Sequence, residues 1–396
     1  MLGSGKGMSA VRPVDRTYLD YNASAPLRGE ARDAVIAAME AGNPSSVHSE
    51  GRAARAFVEK ARADVARLAG VPSRSVTFTS GATEALNAAL NPRFGVKSEE
   101  PPLDRLIVSA GEHPCVLFGH RFPASAVEVA PLRPDGRVDL EWLTEACRRP
   151  ERTLLALQGA NNETGVLQPV AEASTIVHAA GGFVVCDAVQ LAGRADCALA
   201  FLGADALAFS AHKIGGPKGV GALIAASLGL NPGDPLIRGG GQERGQRAGT
   251  ENVAAIAGFG AAARAVVAET ASEPVRLLAL RDRLADRVRE AAPDAAIFGD
   301  AAPRLCNTLS FAVPGVAAAT LMIALDLAGV AVSSGSACSS GKVAPSHVLA
   351  AMGFDPTLAG GAIRLSLGWA SEARDVEAFA EAFSGALRRM RAGWRE

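Results

Sequence analysis

Paired cysteines, clustered charge and long apolar runs are all missing from this chain of 396 residues. The cysteines (Cys115, Cys147, Cys186, Cys197, Cys306 and Cys338) form no C-x-x-C pair and no regular framework. In a chain of this size that excludes a disulfide scaffold and a cysteine-based zinc site, so reduced thiols and no metal are expected. Lysine plus arginine (40) balance aspartate plus glutamate (41), and no basic run forms a stripe, so no nucleic-acid partner is expected. The most apolar stretches, 315–332 and 253–268, are interrupted by Asp326 and Arg264, and neither reads as a membrane span. The opening "MLGSGKGMSAVRP" has no apolar core segment and is not a secretory leader. Met8 is a candidate start, and cytoplasmic localisation is expected.

What is present fits a large soluble globular protein. Apolar residues make up 48% and charged residues 20%. That composition and length predict one large and one smaller domain. Seven short apolar runs (76–79, 106–109, 127–130, 154–157, 183–186, 206–209 and 220–224) mostly alternate with segments long enough for crossover helices. The pattern predicts a mostly parallel α/β sheet covered on both faces, its last two strands antiparallel because only a glycine-rich turn joins them. Phe57, Val58, Ala61, Val65 and Leu68 mark an amphipathic helix before it. After it come a helix on Leu277, Leu280, Leu284 and Val288, strands on Leu309–Phe311–Val313 and Ile363–Leu365–Leu367–Trp369, and a closing helix on Val376, Phe379, Phe383, Leu387 and Met390. The expected division is a large domain over 23–264 and a small α+β domain made of 1–22 and 265–396.

Ligands of open α/β sheets sit beyond the C-terminal strand ends. Ser80-Gly-Ala-Thr83 follows the first strand and opens a helix, which is either a phosphate cup or an ordinary helix cap. Glu112-His113 follows the second strand, Asn161-Asn162-Glu163-Thr-Gly165 the fourth, and Asp187 and Gln190 the fifth. Ser210, His212 and Lys213 follow the sixth. Each has a bland explanation as a cap, a turn or a solvated charge. Together at one sheet edge they match pyridoxal phosphate, with the lysine answering its aldehyde and the carboxylate its pyridine nitrogen.

Nearly the whole chain resembles the cysteine desulfurases, class V aminotransferases of the fold-type I pyridoxal-phosphate enzymes. The resemblance is carried by "YLDYNASAP", "GNPSSVHSEGR", "TSGATEALN", "EHPCVL", "NNETGV", "CDAVQ", "SAHKIGGPKGVGAL", "GGGQERGQRAGTEN", "SSGSACSSG" and "AIRLSLG". It implies a Schiff base on Lys213, ring stacking and proton-transfer assistance from His113, Asp187 on the pyridine nitrogen and Gln190 on the phenolic oxygen. Ala82, Thr83, Ser210 and His212 would hold the phosphate, and Thr250 would reach the phosphate of the second subunit of a homodimer. Asn162 and Arg364 would grip the carboxylate of L-cysteine. Arg364, opposite Ile363, Leu365 and Leu367 on its strand, otherwise reads as a solvent-facing arginine.

Cys338 lies among serines and glycines rather than apolar neighbours, which suits a thiolate that must attack and then deliver. The other five cysteines read as small apolar fillers. The resemblance implies that L-cysteine becomes L-alanine, leaving a persulfide on Cys338 for a sulfur-acceptor protein in iron–sulfur cluster assembly or thiolation. The sequence departs from relatives at Gln242, where many carry His, at the helix start Glu84-Ala85-Leu86-Asn87, and in a short tail after "RMRAGW" that predicts weak docking to a cluster scaffold. Selenocysteine lyase or aminotransferase activity on small amino acids is the alternative on this fold. A transaminase does not need Cys338, and a non-catalytic binding partner needs none of Lys213, Asp187, His113 and Cys338 together.

Overall fold

The computed structural model describes residues 16–227, 230, 233–335 and 346–392. Its first strand, β1 (Thr17–Tyr18), is set apart from the main sheet. That sheet holds β2 (Val76–Thr79), β3 (Arg105–Ser109), β4 (Val127–Ala130), β5 (Thr153–Gln158), β6 (Phe183–Asp187), β7 (Ala206–Ser210) and β8 (Gly221–Ala225), in the order β2-β8-β7-β6-β5-β3-β4. All seven lie within a residue or so of the expected apolar runs. Strand β8 is antiparallel to both neighbours, β2 and β7, while the remaining pairs are parallel. Six strands therefore run in one sense and end at one edge of the sheet. The antiparallel β7–β8 pair follows from the short Gly215–Gly219 connection.

The near-continuous apolar character of these strands has a direct cause, because both faces are covered. Along β5, Leu155 and Leu157 enter one core with helix α2 (Ser49–Ala69) and helix Val253–Glu269, following α1 (Gly29–Ala38). Leu154 and Ala156 enter the opposite core, with α3 (Ala82–Ala89). Helix α2 begins at His48, whose side chain accepts from Gly51 N, and stops at Gly70, which takes the left-handed conformation (φ 67°) that glycine adopts without strain.

A second, four-stranded sheet contains β9 (Ala296–Ile297), β10 (Thr308–Ala312), β12 (Ser333–Ser334) and β13 (Ile363–Ser366), in the order β12-β13-β10-β9. The remaining strand, β11 (Val330–Ala331), pairs with β1. Period-two alternation sends Leu309, Phe311, Ile363 and Leu365 into a third core with helices Glu273–Ala291 and Ala373–Ala392. Phe379 and Phe383 stack at 5.3 Å between ring centroids, and Phe311 meets Phe383 edge-on at 5.5 Å. Ser310 and Arg364, cross-strand partners, occupy the other face.

Strand β13 stops at Ser366, short of the expected Trp369, because the chain turns at Gly368 against the Tyr21 ring. Trp369 instead donates from Nε1 to Pro26 O and carries the Arg28 guanidinium over its ring. Strand β10 likewise ends at Ala312, one residue before Val313. Among the described residues no single helix is long and apolar enough to cross a membrane. Helices Val253–Glu269 and Glu273–Ala291 meet that test only as a pair and are bent by 80°. No group of His, Cys, Asp and Glu among the described residues could hold a metal ion.

Candidate active site

A cavity of about 570 Å³ opens where the six like-directed strands end. Ser80, Gly81, Ala82 and Thr83 reach it from the turn after β2, His113 from the turn after β3, and Asn162 from the turn after β5. Asp187 and Gln190 come from the end of β6, and Ser210, His212 and Lys213 from the end of β7. The opposite wall carries Asn22, Ala23, Ser24 and Arg364.

Helix α3 starts at Ala82, so Ala82 and Thr83 occupy its first turn. The opening N–H groups of a helix have no partner within it and favour an anion. Strand β8 packs directly behind: a Cβ at Gly221 would lie 2.7 Å from Gly81 Cα and 2.5 Å from Phe209 O. Only glycine lets the strand approach the cup this closely. Beside the cup, His212 Nδ1 lies 3.3 Å from Ser24 Oγ. Burial, Lys213 and Lys218 push its imidazole down to about 4, so it is neutral near pH 7.

Lys213 Nζ donates to Asn22 O at 2.6 Å and to Ala23 O at 3.0 Å. Gln190 Nε2 donates to the same Asn22 carbonyl at 3.2 Å. Asp187 Oδ1 accepts from Val189 N at 3.0 Å. Burial raises the Asp187 carboxyl above its ordinary range, while His113 and Lys213 hold it back. His113 Nδ1 accepts from Cys115 N at 3.2 Å, which leaves the proton of the neutral ring on Nε2. Burial lowers its imidazole, Lys213 and His347 add to this, and Asp187 opposes it.

Arg364 is not solvent-facing. Its Nη1 donates to Asn162 O at 3.1 Å and its Nη2 to Asp20 Oδ1 at 2.8 Å, with the residue only 1% exposed. Its buried Nε–H has no partner. Asn22 holds this wall together: its N–H donates to Ser366 Oγ, its Nδ2 to Asn162 O and Thr308 Oγ1, and its Oδ1 accepts from Asn307.

The structure therefore brings together every expected cofactor and substrate residue except Thr250, which is exposed and does not line this cavity. Cys338 lies outside the described residues. The five described cysteines all sit within or beside apolar cores, as fillers do. Cys115 also lines the cavity, and burial, with Asp187 and Glu112, pushes its thiol far above the ordinary range. It stays protonated and does not compete as a nucleophile.

Sequence reasoning missed Asp20 and Asn22, whose partners lie hundreds of positions away, although "YLDYNASAP" places both in a recognisable stretch. It also gave no role to Glu112, which is fully buried, accepts from Gln158 N at 2.7 Å and leaves Oε2 without a partner. Burial pushes that carboxyl well above its ordinary value. Asn161 of the amide-rich turn is structural, its Oδ1 accepting from Glu163 N and Thr164 N.

Residues 17–379 match the aminotransferase class-V family. A cysteine desulfurase of Cereibacter sphaeroides is 39% identical, over 96% of this chain and 97% of its own length. The X-ray structure of a NifS-like protein from Rickettsia africae superposes with a TM-score of 0.85 at 34% identity, covering 94% of this chain and 100% of that one. The structure of SspA in complex with cysteine is 28% identical with a TM-score of 0.76, over 89% of this chain and 98% of that one. With a fold, a strand-end cavity and full-length relatives in agreement, this chain belongs to the aminotransferase class-V family and, within it, is a cysteine desulfurase.

Proposed function

We propose that the cavity holds pyridoxal 5'-phosphate and that the protein uses it to convert L-cysteine to L-alanine, leaving the sulfur as a persulfide on Cys338. The observation that carries this reading is the convergence of an amine, a carboxylate, a side-chain amide and a helix N-terminus at one sheet edge. When bound, the cofactor supplies a covalent anchor for the amino acid and an electron sink next to its α-carbon.

The residues fit that group. Lys213 would supply the amine for the aldehyde, Asp187 would pair with the pyridine nitrogen, Gln190 with the phenolic oxygen, and His113 would stack on the ring. A protonated ring nitrogen gives the buried Asp187 carboxyl the cationic partner that its burial calls for. Ala82, Thr83, Ser210 and neutral His212 take the phosphate as hydrogen-bond donors. Asn162 and the idle Nε–H of Arg364 take the substrate carboxylate. Neutral His113 holds its proton on Nε2, the atom from which it would pass one.

In the sulfur-transfer step the Cys338 thiolate attacks the sulfur of L-cysteine. The substrate C–S bond breaks, an S–S bond forms on Cys338, and the carbon side takes a proton and leaves as alanine. The acceptor is a protein thiol or scaffold of unassigned identity. Thr250 would act from a second subunit, which makes the working unit a homodimer in the cytoplasm. The large domain would span 23–264 and the small one 1–22 with 265–396. The pairing of β1 with β11, and of Asp20 with Ser366, supports the placement of the N-terminal segment.

The test is incubation of the purified protein with pyridoxal phosphate, L-cysteine and a reducing thiol. Alanine and sulfide should form in equal amounts. Cys338→Ser should keep the cofactor and its spectral response to cysteine, while alanine formation falls at least about a hundredfold. Near-normal alanine production by Cys338→Ser, set against a matching loss in Cys115→Ser, would move the nucleophile to Cys115.

A further inference from the structure

Arg194 is a buried cation with no acid to match it. Its Nη1 donates to Gln190 Oε1, its Nη2 donates to Lys213 O at 3.2 Å, and its own carbonyl accepts from the Cys306 thiol. Among the described residues it forms no ion pair, and no carboxylate figures among the groups that set its charge. Glu269 and Glu273 share a void of about 30 Å³ with it, but each is already engaged. Glu269 takes both Nη atoms of Arg28 at 2.7 Å, and Glu273 takes Nε and Nη2 of Arg276 at 2.8 and 2.6 Å. The other charged groups near it are cations, Lys213 through its carbonyl and Arg364 through space. Burying a guanidinium with only neutral acceptors costs free energy unless an anion compensates nearby.

The geometry says where that anion belongs. A guanidinium has donors and no acceptor, so the oxygen of the Gln190 amide must face Arg194 and its NH₂ must face away. The NH₂ lies on the cavity side, sharing the Asn22 carbonyl with Lys213 Nζ. Gln190 and Arg194 are four residues apart on one short turn, so the contact is local and rigid. A hydrogen bond to the amide oxygen polarises its N–H bonds.

We propose that Arg194 is a positioning residue for the cofactor: it fixes the Gln190 amide with its NH₂ toward the cavity and, through that amide, favours an anionic oxygen there. This rests on the reading of the site given above, in which that oxygen is the phenolic oxygen of pyridoxal phosphate. Burial lowers the Arg194 guanidinium only to about 10, so it remains a cation at neutral pH.

The experiment is a spectrophotometric pH titration of the bound cofactor in wild type, R194M, Q190L and the double variant. A nearby cation makes any proton on the cofactor easier to lose, so R194M should raise the titration midpoint by about one pH unit, tenfold in proton affinity. In the Q190L background the same substitution should move it by less than half as much, since the relay is gone. R194K, which keeps charge and donor, should stay near wild type. If R194M does not fold, R194Q takes its place; it keeps a donor without the charge, and its midpoint should lie clearly above wild type. A midpoint unchanged in the neutral variant, or a shift equally large without Gln190, overturns the proposal. Wild-type protein that binds no pyridoxal phosphate at all overturns the functional reading beneath it.

Discussion

One wall of the cavity is the C-terminal edge of a single sheet, and the other is gathered from the two ends of the chain. On the first, each side chain is placed by the strand it follows: Asp187 closes β6, and Lys213 lies three residues past β7. On the second, Asp20 and Arg364 pair across 344 positions, and Asn22 ties Thr308, Ser366, Asn162 and Asn307 into one network. A residue on the sheet edge can be exchanged without disturbing the core beneath it. A residue on the second wall is also part of the joint between two sheets. Chemistry and stability should therefore separate on the first wall and be linked on the second.

Lys213→Ala should show the largest effect, a fall in kcat of at least about a thousandfold for loss of the covalent anchor. Its apoprotein should melt within about 2 °C of wild type, as expected for a partly exposed side chain. A large loss of apoprotein stability would show that the sheet edge is not separable after all. Arg364→Lys keeps the charge but loses the planar fork, so kcat/KM for L-cysteine should fall by about 10–100-fold. Cofactor affinity should hardly change, and equal losses of both would break the division between walls.

Asn22→Ala leaves several buried partners unmatched and should lower the apoprotein melting temperature by roughly 4–8 °C. A melt like that of wild type would mean the network does not join the sheets. The smallest effect concerns Glu163, which is buried, accepts from Ser346 Oγ at 2.5 Å and lies beside Gly335. Burial raises its carboxyl from 4.5 to about 7, against Ser346 and Arg364. Between those values the folded protein holds a proton that the unfolded chain has released, so this contribution to stability is lost as pH rises through about 7. Melting temperature measured from pH 5 to 8 should fall more steeply in wild type than in Glu163→Gln, by on the order of a few degrees. Parallel curves would contradict the assignment.

The same division decides what could be read from the chain. The sheet-edge wall was legible because strand, turn and functional side chain are contiguous in "VVCDAVQ" and "LAFSAHK". The strand order was not, since nothing local shows that β2 pairs with β8, nearly 150 positions later. Arg364 could be placed opposite its apolar neighbours by period two alone. Whether that face met solvent or Asp20 depended on a contact no local pattern encodes. Arg194 and Cys115 were invisible for a related reason: an arginine four residues after a glutamine and a cysteine in a short helix look ordinary until a cavity lies beside them.

The central claim, that Lys213 anchors the cofactor at the sheet edge, meets its most direct test in borohydride reduction of the holoprotein followed by peptide mapping. Lys218 lines the same cavity and is the natural competitor. The account predicts a single reduced pyridoxyl label on Lys213 and its disappearance in Lys213→Ala. A label on Lys218, or no label on protein that still releases alanine from cysteine, would contradict it.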